Sequence, residues 1–65
     1  MGDFQGAVND FTQTLILDPA NGKALVLRGR AYISMGKKQE ACNDFIRAKS
    51  IGTEGAVESI NQFCQ

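Results

Sequence analysis

Few side chains in this sequence have the types and spacing that covalent or metal chemistry needs. The sequence has no histidine, and Cys42 and Cys64 lie too far apart to form a CxxC redox motif or half of a zinc site. There is no phosphate-binding loop and no nucleophile elbow, and no carboxylate is expected inside an apolar helical stripe, where burial would raise its pKa. We therefore expect no enzymatic activity, no cofactor and no metal.

The two cysteines have a simpler interpretation. Both fall on apolar faces of predicted helices, and a free cysteine packs like a small hydrophobic residue. We expect buried, reduced thiols, with a disulfide or a reactive thiol as the alternative.

The charge balance and hydropathy limit the partners. The chain has 7 basic and 7 acidic residues, so no net charge attracts nucleic acid or anionic lipid. No apolar stretch approaches the roughly 18 residues that cross a bilayer, and the first residues do not form a basic segment followed by an apolar one. We expect a soluble, cytoplasmic protein that binds neither nucleic acid nor membrane.

The secondary structure predicted from the sequence is entirely helical. Apolar residues at helical spacing predict four of them, over 3–17, 22–35, 38–50 and 54–64. Pro19 ends the first, Gly36 the second and Gly52 the third, while Asn21 and Thr53 are expected to cap the helices that follow them. With short connections and no strand pattern, the predicted fold is an all-α antiparallel stack.

The first and third predicted helices are versions of each other. Five residues recur 34 positions later: Gly2, Ala7, Asn9, Asp10 and Phe11 as Gly36, Ala41, Asn43, Asp44 and Phe45. Self-similarity at a fixed period is typical of a helical solenoid. Because Asp10 and Asp44 recur with the repeat, we expect them to serve a repeated structural contact rather than catalysis.

The repeat resembles the tetratricopeptide repeat (TPR), whose 34-residue helix-turn-helix unit has a large residue-x2-Leu-Gly-x2-Tyr pattern, then Ala-x3-Phe and Pro. The matching residues are Leu25, Gly29, Tyr32, Ala41 and Phe45, and in the preceding unit Ala7, Phe11 and Pro19. Leu25 replaces the frequent Trp, Arg28 the frequent Leu, and Thr53 the closing Pro. The resemblance divides a single domain, 1–65, into the second helix of an incomplete unit (2–21), a complete helix pair (22–53) and a C-terminal capping helix (54–65).

The same resemblance predicts how Gly29 is used. It should lie where the two helices of the unit cross near Ala41, so that the backbones approach closely. Gly29→Leu should then destabilise the fold, whereas Gly29→Ala should have little effect or stabilise it. The Arg28 side chain is expected to lay its stem along this contact and keep its head in water.

TPR arrays are protein-interaction scaffolds, and the resemblance implies a groove lined by the first helix of each unit. The groove face would consist of Lys23, Val26, Arg30, Ile33 and Ser34. Val26 and Arg30 stand where a chaperone-binding subclass has Lys and Asn, so its carboxylate clamp is absent. The expected partner is a protein or peptide. The alternative is that Lys23 and Arg30 are exposed, solvated charges without a role in binding.

The alternative function is self-association, or a role as an accessory domain of a larger protein. The first and second predicted helices should each lack a neighbouring helix, leaving a contiguous apolar face that a second copy could cover. This self-association face is Phe4, Ala7, Phe11, Ala24, Leu27 and Ala31. On this reading the isolated chain is a homo-oligomer.

Overall fold

The computed structural model describes residues 3–64, and these form four α-helices without a strand. They are α1 (Phe4–Leu17), α2 (Gly22–Ser34), α3 (Lys38–Ile51) and α4 (Ala56–Phe63). The predicted all-α fold class is confirmed, with helix bounds that differ from expectation by a few residues. Gly2, which opens the sequence repeat, lies outside the described residues, as do both ends of the predicted domain.

Local signals in the sequence set the helix boundaries. The Asn21 side chain accepts a hydrogen bond from the Ala24 amide at 3.0 Å and so caps α2, as predicted. Asp3 caps α1 in the same way by accepting from the Gly6 amide at 2.9 Å. Gly36 and Gly52 have φ values of 77° and 90°, left-handed conformations in which glycine readily ends a helix.

The fourth helix begins differently from the prediction. Thr53 does not cap it, because α4 starts only at Ala56 and its N-cap residue, Gly55, provides no side-chain hydrogen bond. Thr53 instead packs close to Gly22, where a Cβ atom would overlap the threonine side chain. The turn between α3 and α4 therefore lies against the start of α2.

Helix α2 is the centre of the packing. It contacts α1 on one side and α3 on the other, and it also touches α4, while α1 packs on α2 alone within residues 3–64. One buried cluster contains residues of all four helices: Leu15, Ala24, Leu25, Ala48 and Ala56. Helix α2 therefore has a neighbour on more than one side.

The close approach at Gly29 is made by an aromatic ring rather than by Ala41. A Cβ atom on Gly29 would lie 2.5 Å from Cε1 and 2.9 Å from Cδ1 of Phe45, and Phe45 is fully buried. The ring thus occupies the space that any side chain at position 29 would need. The prediction that Gly29→Ala is harmless does not fit this geometry.

The two cysteines form a disulfide, so the expectation of reduced thiols is wrong. Cys42 of α3 and Cys64, the residue after α4, are bonded with their Cα atoms 5.8 Å apart. Next to the bond, the rings of Phe45 and Phe63 stack with their centroids 6.0 Å apart. A covalent bond and an aromatic contact together hold the end of α4 on α3.

We predict that Gly29→Ala destabilises the protein by about 1–3 kcal/mol, because the added Cβ atom would lie 2.5 Å from the fully buried Phe45 ring and force the ring or the helix to shift. Thermal and denaturant unfolding measure the loss, with Ser34→Ala at an exposed position of α2 as the control. A Gly29→Ala protein as stable as the parent would show that the ring gives way easily.

We predict that removing the disulfide with the Cys42→Ser/Cys64→Ser double substitution lowers the free energy of unfolding by about 3 kcal/mol, since the bond closes a long loop in the unfolded chain. Unfolding of both proteins, with and without a dithiol reductant, measures this. The parent should lose a similar amount under reduction, and the double variant should not respond. Unchanged stability of the double variant would contradict the prediction.

Candidate functional site

The most elaborate polar arrangement in the described residues is centred on Arg28. Its Nε and Nη2 atoms donate to the two carboxylate oxygens of Asp44 at 2.8 and 2.7 Å, and Nη1 donates to Oγ1 of Thr12 at 3.1 Å. The guanidinium carbon also lies 5.8 Å from the centre of the Tyr32 ring, a cation–π distance. One side chain on α2 therefore binds groups on both α1 and α3.

This arrangement corrects two sequence expectations. The head of Arg28 is not in water, since its side chain is only 14% exposed and is bound to a side chain of Asp44 that is 5% exposed. Asp44 is also a carboxylate inside an apolar stripe, between the buried Ala41 and Ala48, where none was expected. It makes the structural contact that the repeat suggested, whereas Asp10 at the equivalent position of α1 is exposed.

The chemistry of the pair is structural rather than catalytic. Both Asp44 oxygens accept from the same guanidinium, a two-point geometry that arginine provides and lysine does not. The hydrogen bond to Asp44 raises the pKa of Arg28 above its ordinary value, although burial acts in the opposite direction. The guanidinium therefore stays charged at any ordinary pH and cannot act as a general acid or base.

The groove face of α2 stays accessible. Lys23, Arg30 and Ser34 are exposed, while Val26 and Ile33 are half-buried, with Val26 packed against the central cluster. Steps of three and four residues place these side chains along one side of the helix. The structure thus brings the five residues together as an open strip in which two cations, about two helical turns apart, alternate with Val26 and Ile33.

The self-association face is only partly accessible. Ala24 and Ala31 are 4% and 7% exposed within the single chain, so they cannot contribute to contact with a second copy. Ala7, Phe11 and Leu27 are half-buried, and Phe4 is 41% exposed. These two small residues are already buried by the packing of the single chain, so no further helix is needed to cover them.

The sequence analysis did not single out the most exposed apolar residues. Ile16 and Leu17, at the end of α1, are 64% and 87% exposed, and three more large side chains are roughly half exposed: Ile46, Ile51 and Val57. The available signal was that Ile16 and Leu17 lie outside the apolar stripe that runs through Phe11 and Leu15. A strict test of spacing would have placed both in solvent.

No family model and no solved structure matches the chain. Within residues 3–64 there is no enclosed pocket and no group of three or more His, Cys, Asp or Glu side chains that could hold a metal. Among the same residues no helix combines the length and the apolar character needed to cross a membrane. Candidate functional residues therefore lie on open helix surfaces.

Proposed function

We propose that this chain is a non-catalytic protein-interaction module of the TPR type, which binds a peptide or a partner helix on the groove face of α2. One observation carries the proposal. Although α2 contacts the three other helices, one of its sides remains open and presents Val26 and Ile33 in alternation with the exposed Lys23 and Arg30. An open strip of this kind suits an extended macromolecular ligand better than a small molecule, which binds in a concave pocket.

The charges of the strip indicate the chemistry of the partner. Lys23 and Arg30 are seven residues apart, which places them about 10 Å apart along the helix axis. A partner with two acidic side chains at this spacing and apolar residues beside them matches the strip. Arg30 can hold a carboxylate with two parallel hydrogen bonds.

The second candidate function is self-association, and the exposed apolar residues favour it. Leu17 and Ile16 are the two most exposed large hydrophobic residues, and they lie at the same end of α1. A second copy could cover them, and the molar mass of the chain at increasing concentration distinguishes this function from peptide binding. A role as an accessory domain of a larger protein is compatible with either function.

The cellular compartment forms part of the proposal. A cytoplasmic location stays a prediction, and the disulfide between Cys42 and Cys64 is an observation against it. Structural disulfides persist in oxidising compartments and are rare in the reducing cytosol. We also propose that the partner is neither a nucleic acid nor a membrane, because the acidic and basic residues of the chain balance.

We predict that peptides selected from a random library by the disulfide-bonded chain are enriched in acidic and apolar residues. Arg30→Glu should weaken a selected peptide at least about tenfold, because it replaces attraction by repulsion. Titration calorimetry measures the affinity. Arg47→Glu, an equal charge change at an exposed position of α3, is the matched control and should leave binding unchanged. Equal losses in the two variants, or no loss in either, would contradict binding on the groove face.

A further inference from the structure

Helix α4 has few interactions of its own that keep it helical. It is eight residues long, and isolated helices shorter than about 12–15 residues are marginal in water. Its N-cap residue, Gly55, provides no side-chain hydrogen bond, and its two buried residues, Ala56 and Ser59, are both small. The helix therefore depends on what holds it against its neighbours, mainly α3.

The disulfide fastens the end of this helix. Cys64 directly follows α4, and Cys42 lies in the first half of α3, so the bond ties the end of one helix to the other. The Phe63 ring beside it stacks on Phe45 but is itself only half-buried. Both the covalent tie and the aromatic contact thus lie at the same end of α4.

The other three helices have a joint that does not include α4. Arg28 of α2 binds Asp44 of α3 and Thr12 of α1, so one guanidinium connects three helices. Four of the five residues in the central cluster also belong to α1, α2 and α3, and α4 adds Ala56. These contacts remain available to the three helices when α4 is released.

The disulfide lies near the surface of the molecule. Cys42 and Cys64 are each half-buried, in contrast to the fully buried Phe45 next to them. Access is one of the conditions for thiol–disulfide exchange, and accessible disulfides are the labile and regulatory ones. Where disulfides occur in a reducing cytosol, they are usually transient, with catalytic or redox-sensing roles.

We propose that the disulfide between Cys42 and Cys64 is a redox switch that controls whether α4 covers α3. In the oxidised chain α4 lies on α3. In the reduced chain α4 is released, while α1, α2 and α3 stay packed together. Release uncovers the side of Phe45 that faces Phe63 and the part of the central cluster that Ala56 covers. An apolar surface that is closed in the oxidised chain is then open in the reduced one.

The switching step is a thiol–disulfide exchange with a dithiol. One thiolate of the dithiol attacks a sulfur of the protein disulfide, the S–S bond breaks, and the other cysteine leaves as a thiolate that takes up a proton. The second thiolate of the reagent then displaces the first cysteine. The chain gains two electrons and two protons as two thiols, and the dithiol becomes a disulfide. A small-molecule disulfide reverses the exchange.

Amide hydrogen exchange of the isotope-labelled chain, followed residue by residue by NMR, tests the switch. We expect a dithiol to accelerate exchange at 60–63 of α4 at least about tenfold more than in the interior of α2, because local release of one helix exposes its own amides first. Oxidised glutathione should restore slow exchange. Far-UV circular dichroism of the reduced chain should lose only the share of helix that α4 contributes.

The Cys42→Ser/Cys64→Ser double variant separates loss of the bond from other effects of the reagent. Its α4 amides should exchange as fast as those of the reduced parent, with or without the dithiol. Both measurements leave the groove face of α2 unused, so this proposal and the proposed function can fail separately.

Three results would overturn the proposal. Equal acceleration in α2 and α4, or a double variant that is unfolded throughout, would show that the bond stabilises the whole fold instead of holding one helix. Unchanged exchange in α4 after reduction would show that packing alone keeps the helix in place. A disulfide that a millimolar dithiol reduces only after denaturation would be structural and closed to switching.

Discussion

The buried ion pair of Arg28 and Asp44 is the interaction that fixes how the helices of this small protein stand relative to one another. Taking two charges out of water carries a desolvation cost of several kcal/mol per ion, which only good geometry and full hydrogen bonding offset. The guanidinium meets these conditions by binding both oxygens of Asp44 on α3 and the hydroxyl of Thr12 on α1. Because a shifted helix would leave a buried charge unpaired, the pair selects one register for α2 between its two neighbours.

The packing beside the pair enforces the same register. The Phe45 ring lies in the space left open by Gly29, and both residues follow directly after a member of the ion pair in the sequence. Polar and apolar recognition are therefore adjacent on both helices. The same Asp-Phe sequence recurs in α1, where Asp10 is exposed and Phe11 packs against the central cluster. The open side of α2 supports the proposed groove face.

The features that could be predicted from the sequence are those determined by neighbouring residues. Pro19 ends α1 because proline restricts the backbone, and Gly36 ends α2 because glycine readily adopts a positive φ. Asn21 caps α2 by accepting a hydrogen bond from the amide three residues away. The exception is Thr53, whose position beside Gly22 is decided by packing between distant segments.

Contacts between helices were harder to predict, for a physical reason. Helical spacing places Cys42 and Cys64 on apolar faces, but it does not say which faces meet, so the disulfide was missed. The burial of Ala24 and Ala31 likewise depends on how closely the neighbouring helices approach α2. The ion pair left a partial signal: Arg28 and Asp44 each interrupt an apolar stripe, and a buried charge requires an opposite partner, but spacing alone does not show that these two stripes meet.

The most direct test is a double-mutant cycle on the ion pair, with Arg28→Met, Asp44→Leu and the double variant compared by denaturant unfolding. We predict that Arg28→Met alone costs about 3–5 kcal/mol, since it leaves the Asp44 carboxylate buried without a partner. The double variant should be more stable than Arg28→Met, with a coupling energy of about 2 kcal/mol or more. Additive losses, with a coupling energy near zero, would show that the pair does not hold the helices in register and would contradict the structural interpretation.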